Sequence, residues 1–220
     1  MRVSRAHRPS SRAVRAWCVA VLAVAAGLVA LPSGGPAQAV LLPDVPQSAS
    51  VIPCGSRSMS QPFGRWGDQN PYFTLPGGDF EATPAQWQLR SGVRLVAENE
   101  PWQAVSAGSQ ALLIPAAGTV QVPSFCADPD ESRVRFFYRS PGVKGSKLVL
   151  NVTVRRGRMT MTNAYWLSGD EPGWKVSEAL VMRMVNHTTT PAVVSFSFHQ
   201  LNTGAAFVID DIEVDPWKSL

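Results

Sequence analysis

Gly77-Gly78-Asp79-Phe80-Glu81, followed six residues on by Trp87, decides how the chain is read. The glycines supply a turn, and the residues after them alternate, with Phe80 toward a core and Asp79 and Glu81 away from it. The stretch therefore reads as the first strand of a β-domain. Its partner lies at the far end, in Phe207-Val208-Ile209-Asp210-Asp211-Ile212-Glu213-Val214. Pairing the two closes the domain and gathers Asp79, Glu81, Asp210 and Asp211 at one place. Four like charges raise one another's pKa values and cost stability unless a cation or an arginine lies between them.

Outward from these ends, the pattern is strand, turn, strand. Alternation and β-branched or aromatic content predict strands over residues 86–89, 93–98, 111–114, 119–122, 133–139, 147–155, 159–166, 180–185, 193–199 and 206–214. In 133–139 Val134, Phe136 and Tyr138 face one way, and Arg133, Arg135, Phe137 and Arg139 the other. No window sustains a 3.6-residue period, so little helix is expected. About nine or ten short antiparallel strands make an all-β sandwich or barrel.

Residues 1–39 carry Arg2, Arg5, Arg8, Arg12 and Arg15, an apolar run and Ala37-Gln38-Ala39, the pattern of a secretory signal peptide. The run is shorter than the roughly 20 residues that span a bilayer. No membrane attachment is expected after cleavage. Beyond residue 39 the chain has 15 basic and 16 acidic residues, so the basic balance of the whole chain belongs to the signal and nucleic acid is excluded as a partner. Residues 40–53 read as a disordered leader, 54–76 as an extended aromatic arm laid on the domain, and 77–217 as the domain itself. Cys54 and Cys126 are the two cysteines left; outside the cell they form a disulfide, or stand as two separate buried thiols. An extracellular, secreted monomer is expected.

These residues resemble a known type of domain. A Gly78-Asp79-Phe80-Glu81 start, Trp87, Trp174 and an Ile209-Asp210-Asp211-Ile212-Glu213-Val214-Asp215-Pro216 finish resemble the jelly-roll β-sandwich of carbohydrate-binding modules, the galactose-binding-domain-like fold, over most of 77–217. The chain is also similar to a group of secreted actinobacterial proteins. They share the aromatic arm before the glycine pair, an Asn99-Glu100-Pro101 run, a cysteine (here Cys126) before Arg135-Phe136-Phe137, and the acidic finish. That second likeness implies a fold and a compartment, not an activity. The resemblance implies core positions for Trp87 and Trp174, and one structural calcium between first and last strands. Glu81 and Asp211 would then be ligands, with Asp79 and Asp210 in reserve. Calcium takes six to eight oxygen ligands and tolerates irregular loops; the competing reading is a row of solvated carboxylates with a bulge at Asp210-Asp211.

Sugar binding needs flat aromatic faces and polar groups for hydroxyls. Trp66, Trp102, Tyr165 and Trp166 fall in turns or at strand ends and are the candidates for such a platform; packing of core and arm is the competing role. Catalysis has less behind it. His187 and His199 sit near no Gly-x-Ser-x-Gly elbow, and Glu98 with Glu100 is the one carboxylate pair a glycan-acting hydrolase could use. The reading is a secreted, non-catalytic binding module for polysaccharide or a cell-envelope component. Its alternative is a structural or protein-interaction domain of the envelope with no sugar ligand. No second domain is expected, whereas most carbohydrate-binding modules are appended to a catalytic unit.

Overall fold

The structure is a computed structural model, and it describes residues 51–105, 107–185, 189–201 and 204–215. They belong to a compact unit over Val45–Leu220. The expected signal peptide, most of the leader, His187, and Pro216 and Trp217 lie outside the described residues. No helix among the described residues is long and apolar enough to cross a membrane.

Apart from one 3-10 turn at Gly64–Trp66, the regular elements are strands. In chain order they are β1 (Phe73–Thr74), β2 (Gln88–Arg90), β3 (Arg94–Val96), β4 (Ala111–Ile114), β5 (Thr119–Gln121), β6 (Phe125–Ala127) and β7 (Arg133–Ser140). Then follow β8 (Lys147–Arg156), β9 (Met159–Ser168), β10 (Gly173–Val176), β11 (Leu180–Val181), β12 (Ala192–Gln200) and β13 (Phe207–Asp215). They form two antiparallel sheets. One has seven strands in the order β10-β7-β13-β4-β3, with β1 on β13 and β11 on β7. The other has six, in the order β2-β5-β12-β8-β9, with β6 on β12. The all-β sandwich read from the sequence is the observed architecture.

Strand alternation builds the core. Val194, Phe196 and Phe198 of β12 are fully buried, while Val193, Ser195, Ser197 and His199 between them face out. Across the sandwich Phe136 of β7 meets Phe198 edge-on at 5.3 Å, and within the six-stranded sheet Phe125 of β6 meets Phe196 of β12 at the same distance. Such pairs contribute about 0.5–1.5 kcal/mol beyond the area they bury.

The opening stretch departs from expectation. Residues 77–81 are a turn, not a strand, because Gly77 (φ 77°) and Phe80 (φ 55°) both adopt left-handed backbone. For a bulky aromatic that conformation is strained; Phe80 is held in it by full burial and an edge-on contact with Trp87 at 5.4 Å. The turn still meets the last strand. Ile212 N donates to Gly78 O at 3.0 Å, and Leu75 N donates to Ile212 O at 2.8 Å. A Cβ on Gly78 would lie 2.8 Å from Leu75 O and 3.2 Å from Ile212 O, so only glycine lets the chains approach this closely. The paired strand here is the two-residue β1, with Phe73 opposite Val214.

Three strands escaped the sequence reading. β1, β6 and β10 have two to four residues, too few for alternation to register. Conversely the expected strand over 180–185 stops at Val181, because Met184 turns into left-handed backbone (φ 71°). Cys54 and Cys126 are disulfide-bonded across 72 residues with Cα atoms 4.9 Å apart. Beside them Ile52 bridges to Phe125, and Arg57 pairs with Glu131 at 3.2 Å and stacks 4.4 Å over the Phe73 ring.

Candidate functional site

Buried acidic side chains crowd at a bulge in β13. Pairing with β7 shifts register between Asp210 and Glu213, and Asp211 takes left-handed backbone (φ 44°). Asp210, Asp211, Glu213 and Glu100 are all buried. Burial pushes the Asp211 carboxyl up to about 9, with Asp210, Glu213, Glu100 and Asp79 adding repulsion. Burial likewise raises Asp210 to about 7, against hydrogen bonds from Glu100 and Asp211 N–H. Glu213 is raised to about 7 by burial, partly offset by the Thr74 hydroxyl. Glu81 differs: although burial opposes it, N–H and hydroxyl donors from Gln110 and Ser109 hold it below the usual carboxylate range.

Two of the four carboxylates expected to bind calcium, Glu81 and Asp210, already accept backbone hydrogen bonds. Glu81 Oε1 accepts from Ser109 N at 2.7 Å and Gln110 N at 3.0 Å. Asp210 accepts from Glu100 N at 3.1 Å and Asp211 N at 3.0 Å. Gly108 permits the Glu81 contact, since a Cβ there would lie 2.5 Å from Glu81 Oε1. Among the described residues no group of three or more His, Cys, Asp or Glu side chains is disposed to hold a metal ion. The expected bulge is present, but its carboxylates are buried instead of being solvated, Asp210 on the N–H groups of Glu100 and Asp211.

Glu98 and Glu100 do not face a common cleft. Glu98 pairs with Arg139. Glu100, 1% exposed, turns back to accept from Trp102 and Ala104 N–H, and so staples its own loop.

The four aromatic candidates separate. Trp66 and Trp102 meet edge-on at 5.0 Å and both pack on Phe137, on the outer side of the seven-stranded sheet. Phe63 and Tyr72 of the arm complete that cluster, with Trp174 at its margin. Arg135 lies 4.4 Å over the Phe63 ring and pairs with Asp68 at 2.6 Å; Asp68 also accepts from the Tyr72 hydroxyl at 2.7 Å. Tyr165 points inward against the main core, its hydroxyl donating to Val181 O. Trp166 stands on the other sheet and is 60% exposed.

Trp166 ends a polar face that the sequence reading did not assemble. Strand register places Arg90, Thr119, His199, Val149 and Trp166 in one row across the six-stranded sheet. The next row is Gln88, Gln121, Ser197, Asn151 and Ala164. Asn151 Nδ2 lies 3.5 Å from Ser197 Oγ, and Arg90 donates to Gln88 Oε1 at 2.9 Å. Lys147 Nζ lies 5.4 Å from the Trp166 ring centroid. Alternation marks each residue as outward; which strands stand side by side is not written locally.

No known family profile matches the chain, and no curated protein does. Similar solved structures include a family 61 carbohydrate-binding module in complex with β-1,4-galactotriose, at 20% identity and a TM-score of 0.42, covering 64% of this chain and 96% of that one. Another is a xylan-binding domain of family 22 from Paenibacillus barcinonensis, at 16% identity and a TM-score of 0.38, covering 63% of this chain and 90% of that one. A third is the family 11 module of a cellulosomal cellulase from Clostridium thermocellum, at 11% identity and a TM-score of 0.39, covering 66% and 94%. The two-sheet architecture itself is established by the strand pairing.

Proposed function

We propose that the protein is a secreted, non-catalytic β-sandwich module that binds glycan on the outer face of its six-stranded sheet. One observation carries the reading: an outer sheet face, part-exposed to solvent, with hydroxyl, amide, imidazole and guanidinium groups in register around a buried Val149, closed at one end by an exposed tryptophan. A sugar chain offers hydroxyls that need donors and acceptors, and C–H faces that stack on aromatic rings. Asn151, Ser197, Thr119, Gln88 and Arg90 supply the former and Trp166 the latter. Five strands at about 4.8 Å spacing make a row roughly 19 Å long, enough for several sugar rings. Secretion is supported by the arginine-rich start, the apolar run and the cleavage pattern, and by the Cys54–Cys126 disulfide.

The test is pull-down on insoluble polysaccharides together with a glycan array. Binding that is lost in Trp166→Ala, weakened in Asn151→Ala and kept in Trp102→Ala supports the reading. No binding to any glycan, or loss in Trp102→Ala alone, overturns it and leaves the envelope-interaction role.

Calcium at Asp79, Glu81, Asp210 and Asp211 is a separate proposal, supported by the crowding of these carboxylates. The ion would share Glu81 and Asp210 with the Ser109, Gln110 and Glu100 N–H groups that already donate to them. A thermal midpoint that rises with calcium and falls with chelator supports it; an unchanged midpoint removes it.

A further inference from the structure

The strands that end the two sheet paths are β10, β3, β2 and β9. Three of them are short and carry a cation: β2 is three residues with Arg90, β3 is three with Arg94, and β10 is four with Lys175. Short strands and basic side chains are how sheets blunt their edges against further pairing. β9 is ten residues, Met-Thr-Met-Thr-Asn-Ala-Tyr-Trp-Leu-Ser, with no charge, proline or glycine. Three of the seven large apolar side chains exposed among the described residues lie on it: Met159 (65%), Met161 (40%) and Trp166 (60%). This edge has none of the protection the others have.

The hairpin fixes which backbone groups remain. β8 and β9 are joined by the two residues Gly157 and Arg158, with Arg156 opposite Met159. In such a hairpin the closing pair and every second pair beyond it exchange both hydrogen bonds. Met159, Met161, Asn163, Tyr165 and Leu167 therefore bond to β8. Thr160, Thr162, Ala164, Trp166 and Ser168 turn their N–H and C=O groups outward, where no strand of the described residues takes them.

We infer that β9 pairs antiparallel with β9 of a second copy of this chain, about a two-fold axis at Asn163. In that register Thr162 lies opposite Ala164 of the second copy, Met161 opposite Tyr165, Thr160 opposite Trp166, and Met159 opposite Leu167. Exposed flexible side chains thus meet larger apolar ones on the same face, including a thioether against an aromatic ring. No like charges meet, because the strand has none. Asn163 selects the register: its Nδ2 is buried with no hydrogen-bond partner. At the axis two Asn163 residues form a non-hydrogen-bonded backbone pair, with Cα atoms about 4.5 Å apart, so their amides can bond each other after rotation about χ2. Shifting the axis by one or two residues puts Asn163 opposite Met159, Met161, Tyr165 or Leu167 instead.

The pairing makes one continuous sheet from two copies and replaces the monomer expected from the sequence. The axis is perpendicular to the sheet, so both polar outer faces lie on the same side. Trp166 and its mate stand six residues apart along the joined strands, roughly 20 Å. The dimer stands whether or not that face binds glycan.

Light scattering and sedimentation of the protein over a dilution series test this, with a mass twice that of one chain as the expected result. Thr162→Lys combined with Ala164→Lys sets like charges opposite each other on the exposed face. It is expected to weaken the dimer at least about tenfold while the thermal midpoint of the monomer is kept. Asn163→Cys is expected to crosslink two chains under mild oxidation, visible on a non-reducing gel against the wild type, and Met161→Cys is not. The gel result decides the register even where the double variant fails to fold. A mass of one chain at all dilutions with no crosslink through position 163 overturns the inference, as does a dimer that crosslinks through position 161 instead.

Discussion

The two sheets turn outer faces of opposite character to their surroundings, although their strands follow the same alternation. Outside the seven-stranded sheet, the arm and the loop after Glu100 lay Phe63, Trp66, Tyr72 and Trp102 over Phe137, and Asp210, Glu213 and Asp215 are fully buried. Outside the six-stranded sheet, no such cover comes from the described residues, and Gln88, Arg90 and Trp166 are exposed and Thr153 part-exposed. The lesson is that an outward-facing strand residue is not yet a surface residue. What is laid across the sheet decides whether a carboxylate is solvated or driven toward its neutral form, and whether a tryptophan packs or stays exposed.

The largest break in this contrast is expected from Phe137→Ala. Phe137 is an outward residue turned into core by the arm, with Phe63, Trp66 and Trp102 centroids 5.4, 5.5 and 5.7 Å away. Its truncation should cost about 3–5 kcal/mol in chemical denaturation. Trp166→Ala, on the bare face, should stay within about 0.5 kcal/mol of wild type in the same measurement. Equal effects at the two positions would erase the distinction drawn between the faces.

Next in size is the tether of the arm. Replacing Cys54 and Cys126 together by serine should lower stability by about 2–4 kcal/mol, because a 72-residue loop is no longer closed in the unfolded chain. Increased quenching of tryptophan fluorescence should accompany it, as Trp66 and Trp102 lose cover. A variant with unchanged quenching would mean the arm stays seated without the disulfide.

The acid cluster sharpens the contrast through pH. The folded-state values of Asp210, Asp211 and Glu213 lie above their unfolded ones. Folding therefore takes up protons, and the contribution to stability is full below about pH 4 and is lost as pH rises through about 7 and then about 9. In chelator, the thermal midpoint should fall between mildly acidic and alkaline pH. Asp211→Asn removes the charge at a left-handed position that asparagine tolerates. It should raise the midpoint at alkaline pH by on the order of 5 °C and flatten the pH response. A lower midpoint for this variant in calcium would instead favour an ion between the carboxylates.

A last effect concerns the close approach at the opening turn. Gly78→Ala should cost about 1–3 kcal/mol, since its Cβ meets the Leu75 carbonyl oxygen and Ile212. A neutral result would show that the turn can withdraw from β13.

Much of this was legible residue by residue. The outward placing of Arg135, Phe137 and Arg139 and the inward row Leu148, Leu150, Val152 and Val154 could be read from alternation, and the end of β4 from Pro115. Phe80 and Trp87 are buried as expected, yet by a turn with left-handed backbone instead of a strand. The meeting of that turn with Asp210-Asp211 was also readable, because acidic residues flanked by apolar ones at both chain ends ask for a shared explanation. The polar row from Arg90 to Trp166 was not readable. It joins residues on five strands that are far apart in sequence, and a two-residue periodicity says which face a side chain takes but not which strand lies beside it.

By itself, then, the sequence determined the class of fold, the inside and outside of each long strand, and the two cysteines available to tie down the arm. These follow from local chemistry: side-chain period, turn residues and composition. Only the tertiary structure decided that Trp66 and Trp102 pack on Phe137 while Trp166 stands free, that Asp211 is buried at a bulge, and that β9 is left as a long uncharged edge. Those outcomes depend on strand order and on what covers each face, and both are set by the sum of long-range contacts instead of any one stretch.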